Sequence, residues 1–402
     1  MIFDQTGIFE PYTQIGKNID EIEDRIHLPQ QEQTNVEPLA LNSTIWFNST
    51  YMELVDKIYH ERGTVTFFGL MICIPVIIFV IAIYIICLKK IPAETFDIID
   101  LLFILFTTIS CMGLIYFVYL FLLKKDTFSY THYPIRFNRK NKMVYIFRPD
   151  GTVGKYRWDD LYVALMVSKQ DIRQPHKSTY DVRFNVLDTH RVITDAFALP
   201  YCHEVQYDPD QLVYRGLWEY VRRYMEERMI DSYNTVDQLL PLRHQRETFW
   251  QSIKLGWEIL GHGTSTTLKK NKQIGVYEEN IEEQNKSGVI SLLIHGLFFN
   301  LIMTAMLGRY AIAKLAKRPV WPKWVEEECQ IDPDDPYDLD RYPKPKAARP
   351  PFTFTRAFVY GITAVLAYLN IYATLWYFDL IAMAKDADIS LHGLLEFWQW
   401  FG

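Results

Sequence analysis

Three stretches carry residue types able to do chemistry. His203 beside Glu204 pairs an imidazole with a carboxylate, the combination a general base needs. Gly261-His262-Gly263-Thr264-Ser265-Thr266 offers the glycines and hydroxyls that cradle phosphate. Asp332-Pro333-Asp334-Asp335-Pro336-Tyr337-Asp338-Leu339-Asp340 offers carboxylates to a hard cation. Each falls short on context. No nucleophile motif accompanies His203 and Glu204, so a surface turn is the plainer reading. A phosphate loop joins a strand to a helix, whereas the glycine-rich stretch follows helical sequence and leads into a polar one. The acidic run lacks the sharp-turn glycine and distal glutamate of an EF-hand loop, and its prolines hold it extended. H-E-x-x-H, G-x-S-x-G and G-K-[ST] do not occur in the sequence. Cys73, Cys87, Cys111, Cys202 and Cys329 include no C-x-x-C pair and are expected to be reduced structural thiols. No catalytic residue, cofactor or metal ligand is therefore expected.

What remains suits recognition. Trp321, Trp324, Asp335 and Tyr337 combine aromatic anchors with acids pre-ordered by proline, the types that dominate interface energetics. They are the candidate partner-binding residues.

The elements that must position them begin with two apolar runs, Thr66 to Leu88 and Ile98 to Leu123, charged only at Asp100. Each exceeds the roughly 20 residues a membrane-spanning helix needs. The average composition, 49% hydrophobic and 22% charged, hides this because the apolar residues are concentrated. A net charge of −6 and the lack of a basic stripe interleaved with aromatics exclude a nucleic-acid partner. The first 64 residues are polar and acidic, so no cleavable signal peptide is expected. Lys57 and Arg62 precede the hairpin, Lys89 and Lys90 lie in its connection, and Lys124, Lys125, Arg136, Arg139, Lys140 and Lys142 follow it. The positive-inside rule then keeps both outer flanks in the cytoplasm. Pro75 is a possible kink in the first span, and Thr107, Thr108, Ser110 and Gly113 are the expected packing face of the second.

After the hairpin, Met143 to Arg148 and Thr152 to Trp158 form a β-hairpin around Pro149-Asp150-Gly151. Leu161 to Val167 is a third strand, with Trp158 to Leu161 as an alternative helical turn. Tyr180, Val182, Phe184 and Val186 alternate with Asp181, Arg183 and Asn185 as a half-buried strand, which Asp188-Thr189-His190 turns into Arg191 to Ala198. An amphipathic helix runs from Pro209 to about Met229, N-capped by Asp208. Val213, Leu217, Tyr220, Val221 and Tyr224 face the core, while Glu219, Arg222 and Arg223 face water. Trp158 and Tyr156 are expected beneath it. Asn234 to Leu260 shows a second helical pattern, and Gly261 to Lys286 reads as a mobile linker. Val289 to Leu307 and Ala357 to Phe378 are either two further spans or helices lying at the interface or on the cytoplasmic domain. The basic residues between them oppose translocation. The fold class is thus an α+β membrane protein: a polar segment (1–64), a transmembrane hairpin (65–123), a cytoplasmic α+β domain (124–260), a linker (261–288) and a C-terminal hydrophobic or interfacial helical region (289–402). The order of strands closed by a helix resembles a pleckstrin-homology-like barrel.

Tyr133-Pro134-Ile135-Arg136-Phe137-Asn138-Arg139 through Val144 to Gly151 and Trp158, the helix Trp218 to Glu227, and Pro319-Val320-Trp321-Pro322 with Cys329 and Asp334-Asp335-Pro336-Tyr337 resemble an uncharacterised Gram-negative inner-membrane family. Its members are often encoded beside type VI secretion effectors. The resemblance implies an immunity protein of the bacterial inner membrane that binds a cognate toxin, its hairpin in the lipid bilayer. The alternative is a membrane scaffold or adaptor that recruits an effector to the secretion machinery.

Overall fold

Thr44–Phe47 (β1) and Tyr51–Leu54 (β2) are short runs rich in aromatic and branched residues, joined by a tight turn. Asn48 Oδ1 closes that turn by accepting the backbone N–H groups of Thr50 and Tyr51, each at 2.8 Å. The computed structural model describes residues 15–19, 26–56, 59, 62–90, 97–169, 179–200, 211–236, 239–242, 246–252, 268–270, 277–279, 299–344 and a few between 364 and 372. After β2 the chain leaves for two long helices, α1 (Thr64–Lys90) and α2 (Ile98–Val118). It returns as β3 (Ile135–Asn138), which pairs antiparallel with β2 so that Leu54 faces Ile135 and Glu53 faces Arg136. β4 (Met143–Phe147) and β5 (Val153–Arg157) complete a five-stranded antiparallel sheet in the order β1-β2-β3-β4-β5. The polar N-terminal segment therefore contributes two strands to the domain that follows the helices.

A 3-10 turn at Trp158–Asp160 leads into a separate three-stranded sheet, β6 (Leu161–Lys169), β7 (Thr179–Leu187) and β8 (Ile193–Ala198). No ladder joins the two sheets among the described strands, so the pleckstrin-homology-like closed barrel is corrected to two open sheets. N-terminal backbone covers both edges of the smaller sheet. Leu28 N–H donates to Val163 O (2.8 Å) beside β6, and Gly16 N–H donates to Ile193 O (2.8 Å) beside β8. The expectation of a half-buried β7 is also corrected: Asp181, Arg183 and Asn185 are as buried as the apolar residues between them.

Helix α3 (Leu212–Glu226) lies on the core, and all five of its expected apolar residues are buried. Gln211 precedes it in a left-handed conformation (φ +57°), and the proposed Asp208–Pro209 start lies outside the described residues. Its polar face is largely covered, with only Arg223 of the three expected polar residues partly exposed. Glu219 and Arg222 are 0% and 1% exposed because residues 33–39 run over them. Glu219 accepts the Thr34 N–H (2.7 Å), Arg223 donates to Val36 O (3.3 Å), and Leu39 N–H donates to Gly216 O (2.9 Å). Beneath the helix, Trp158 is fully buried, stacked on Trp218 at 5.7 Å and edge-on to Phe137 at 6.1 Å. Tyr156 is half-buried and stacks on Phe197. A short helix, α4 (Met229–Thr235), follows.

α1 and α2 are each long and apolar enough to cross a membrane, and only 11% and 6% of their most apolar windows are buried within the chain. A soluble core helix is mostly buried. α1 continues unbroken through Pro75. Asp97 caps α2, accepting the N–H groups of Ile99 (2.9 Å) and Asp100 (3.0 Å). Tyr84 and Thr108 hydroxyls meet at 3.3 Å between the helices. Thr107, Thr108, Cys111 and Val118 line that contact side, whereas Ser110 and Gly113 are exposed, which corrects half of the expected packing face. A wider π-type turn (Tyr119–Leu123) and a last helical turn (Lys124–Asp126) bring the chain back to the domain.

In the stretch read as a linker, β9 (Leu268–Lys270) and β10 (Tyr277–Glu279) pair antiparallel. Helix α5 (Phe299–Leu315) packs on α1, and α6 (Lys323–Glu328) packs on the five-stranded sheet. The start of the possible third span and most of the fourth lie outside the described residues, as do His203, Glu204, His262 and Cys202.

Candidate functional site

The four expected partner-binding residues lie on the segment that crosses the outer face of the five-stranded sheet. Glu53 and Arg136 face each other across β2 and β3, and their ion pair closes at 2.7 Å. Burial disfavours the charge on Arg136, but Glu53, Tyr51 and Glu326 together outweigh it and hold the guanidinium firmly protonated. Tyr51 (4.2 Å) and Trp321 (4.8 Å) flank that guanidinium, and the Trp321 indole N–H donates to Glu53 (3.1 Å). Asp335 accepts the backbone N–H groups of Ser49 (2.6 Å) and Tyr337 (2.9 Å), and Tyr337 sits edge-on to Tyr233 at 5.3 Å. Trp321, Asp335 and Tyr337 are thus engaged in holding the segment to its own sheet. Trp324 differs: it is 39% exposed, 6.0 Å from Tyr145 and 5.7 Å from Lys155 Nζ, on the same segment as Val320 at 77%. Of the four, Trp324 is the anchor with a free face.

A second site assembles where the two apolar helices enter the domain. Asp126 Oδ2 accepts the N–H groups of Gly63 (3.3 Å) and Thr66 (3.0 Å) and the Thr66 hydroxyl (2.9 Å), so the chain leaves and returns at one point. α5 crosses α1 there. A Cβ on Gly63 would lie 2.5 Å from Arg309 Cα, and one on Gly308 would lie 3.1 Å from Gly63 O. Gly63 also has φ +96°, which favours glycine on its own account. This close approach drives Arg309 into the domain. Its Nη2 and Nε meet Glu247 at 2.7 and 3.0 Å, and its Nη1 donates to Tyr59 O at 2.9 Å. Glu247 also accepts the Tyr59 and Ser252 hydroxyls. Burial opposes ionisation of Glu247, but the Arg309 charge and the hydrogen bonds from Arg309, Tyr59 and Ser252 together hold the carboxyl below the usual carboxylate range. Burial and then the Glu247 charge push the Tyr59 phenol far up, so it stays protonated.

Arg62, Thr131, His132, Arg246 and Arg318 complete a small recess beside this pair. Burial, then the charges of Arg62 and Arg318, lower the His132 imidazole to about 3, so it is neutral at physiological pH. Among the described residues no cluster of His, Cys, Asp and Glu could hold a metal. Sequence reasoning did not find this recess. Its four arginines lie on three separated segments, and the one local signal, an arginine in a largely apolar helix, sits just past the end of a stretch read as a possible span.

A profile described as a family of unknown function (DUF6708) matches residues 112–333, more than half of the chain. The match includes β3 to β8, α3 and α6, and every lining residue of the recess except Tyr59 and Arg62. No curated protein and no solved structure matches.

Proposed function

The chain belongs to the DUF6708 family of unknown function, and we propose that it is a membrane-anchored immunity protein of the bacterial inner membrane that neutralises a cognate type VI secretion effector by binding it. The observation that carries the reading is the placement of the apolar hairpin. Its two helices are inserted between strands paired in one sheet, and Asp126 ties their ends together. Such an insertion clamps the α+β domain to the bilayer surface at two covalent points and fixes its orientation. The exposure of α1 and α2, and Tyr116 and Tyr119 at the domain end of α2, suit helices surrounded by lipid with aromatic residues at the interface. The Lys and Arg distribution favours a cytoplasmic domain. Capture acts by occupancy, and anchoring raises the local concentration of the domain where a membrane-active toxin must insert. We assign partner contact to Trp324, whose exposed face supports that role.

The test is co-expression with a cognate toxin, sought first among the genes neighbouring its own. Protection should rise with the ratio of this protein to toxin and saturate near equivalence. Replacing residues 65–123 with a short Gly-Ser loop, which the Gly63 N–H bonded to Asp126 makes sterically simple, should leave a soluble domain that no longer protects. Alanine at His203, Glu204 or His262 should leave protection intact. Failure to protect, with loss of effector secretion on deletion, establishes the adaptor instead; protection by trace amounts that depends on one side chain establishes an enzyme.

A further inference from the structure

We propose that the α+β domain rests on anionic lipid through a ledge at the base of the two apolar helices, formed by Phe128, Leu315 and Val320 with Lys124, Lys314 and Lys317. The three apolar residues are 54%, 61% and 77% exposed, and the three lysines are exposed as well. Hydrogen bonds bring their segments together. Lys317 N–H donates to Ser129 O (2.9 Å) and Thr131 N–H donates to Lys317 O (2.7 Å), so the end of α5 lies beside the chain that follows Phe128. The Phe128 ring folds back along α2. It packs 5.9 Å from Tyr119, which lies within the apolar run Ile98–Phe121, and Tyr116 continues the row at 6.4 Å from Tyr119. Aromatic rings at the end of a span suit the interface between hydrocarbon and headgroups.

Charge identifies the surface that the ledge fits. From Lys314 to Lys323 every charged residue is basic, and from Glu326 to Asp340 every one is acidic. The fold lays this order out along one direction. β2 leads into the hairpin at its Leu54–Ile135 end, where Phe147 N–H donates to Pro134 O (3.1 Å) and Trp321 packs on Phe147 (5.8 Å). Trp324 then passes Tyr145 (6.0 Å), and Asn138 Nδ2 donates to Cys329 Sγ (3.4 Å). Asp332 meets Lys140 (2.7 Å), and Asp335 meets Ser49 in the β1–β2 turn, both at the end away from the helices. The basic stretch therefore lies at the helix end of the domain and the acidic stretch at the other. Acids of the second stretch are matched inside the domain, Glu328 by Lys155 (2.7 Å) and Asp332 by Lys140, whereas Lys124, Lys314 and Lys317 pair with no carboxylate among the described residues. Apolar tips flanked by lysines enter the headgroup layer while the ammonium groups stay beside the lipid phosphates. The inference rests on the membrane placement of α1 and α2 and not on the immunity reading, and its test involves no toxin.

The full chain carries the photo-crosslinker p-benzoylphenylalanine at Ile109, Phe128, Val320 or Asp334 and is reconstituted into vesicles of phosphatidylcholine, with or without phosphatidylglycerol. Lipid adducts are read by mass after illumination. Ile109, midway along α2, reports the membrane placement itself, and Asp334, on the acidic stretch, reports background. Phe128 and Val320 should capture lipid well above Asp334, and more in vesicles containing phosphatidylglycerol. Each lysine near an anionic surface strengthens docking about fivefold, or about 1 kcal/mol. Lys314→Gln combined with Lys317→Gln should therefore lower the Val320 yield several-fold, to its value in phosphatidylcholine, and leave Ile109 unchanged. If Ile109 captures lipid while Val320 does no better than Asp334, or if the Val320 yield ignores both phosphatidylglycerol and the lysines, the proposal is wrong. A crosslink from Val320 to a second copy of the chain assigns this face to self-association and overturns it equally. Absence of lipid adducts at Ile109 overturns the membrane placement, and the ledge falls with it.

Discussion

Arg309→Met removes the guanidinium that meets Glu247 through two N–H groups at 2.7 and 3.0 Å and fills the space with an apolar chain. Glu247 stays buried, with the hydroxyls of Tyr59 and Ser252 as its remaining partners. Breaking one side of a buried pair costs about 3–5 kcal/mol, because the other charge is left uncompensated. Set against a total stability of roughly 5–15 kcal/mol, this is a large effect. It also has a pH signature. In the wild type Glu247 titrates below the usual carboxylate range, so its stabilisation is present above the unfolded pKa of about 4.3 and is lost as pH falls through the lower folded value. In the variant Arg309 no longer offsets burial, so the Glu247 pKa rises and the carboxyl is neutral over a wider range. Protons then favour the native variant, and its deficit shrinks as pH falls from 8 toward 5. The assay is urea unfolding of the full chain in detergent, followed by tryptophan fluorescence in phosphate-free chloride buffer. Adding Glu247→Gln to Arg309→Met should recover more than half of the loss. A deficit under about 1 kcal/mol at pH 8, the range of an exposed pair, or one that does not change with pH, refutes the ion-pair account.

Trp158→Ala should cost about 3–5 kcal/mol by emptying the space beside Trp218 and Phe137, whereas Trp324→Ala should stay within about 1 kcal/mol; equal melting shifts would overturn this ranking. Gly63→Ala should destabilise far more than Gly16→Ala in the same melting assay. Both have positive φ, worth about 1–2 kcal/mol, but a Cβ meets Arg309 at 2.5 Å at Gly63 and nothing within 4 Å at Gly16. His132 titrates near 3 in the native state and about 6.5 when unfolded, so the unfolded chain binds the extra proton and stability falls with pH between those values. The loss reaches about 2 kcal/mol at pH 5, and subtracting the stability curve of His132→Asn from that of the wild type should isolate it.

Local rules were enough for some of this protein. The apolar helices were legible because a run that is apolar on every face, without helical periodicity, fits lipid and not a soluble core. Pro149-Asp150-Gly151 fixed the β4–β5 hairpin, with Gly151 at φ +86°. The 3.6-residue recurrence of Val213, Leu217, Tyr220 and Tyr224 fixed the buried face of α3.

Only the tertiary structure decided the rest. Glu53 and Arg136 lie 83 positions apart, and nothing near either one states that β2 pairs with β3 around the helices. Glu219 and Arg222 have the chemistry of solvent-facing residues, yet they pair with each other under residues 33–39, whose Thr34 N–H reaches Glu219 from the far end of the chain. The same holds for Trp321, Asp335 and Tyr337, whose types suit an interface and which meet their own sheet and core instead. The arginine recess is the extreme case, since Arg309 reaches Tyr59 O across 250 positions. Propensity and periodicity act over a few residues and determine helices, turns and faces. Which polar face is covered, and which charges meet, follows from long-range closure of the chain, where the cost of burying a charge is offset only by a partner that the fold delivers.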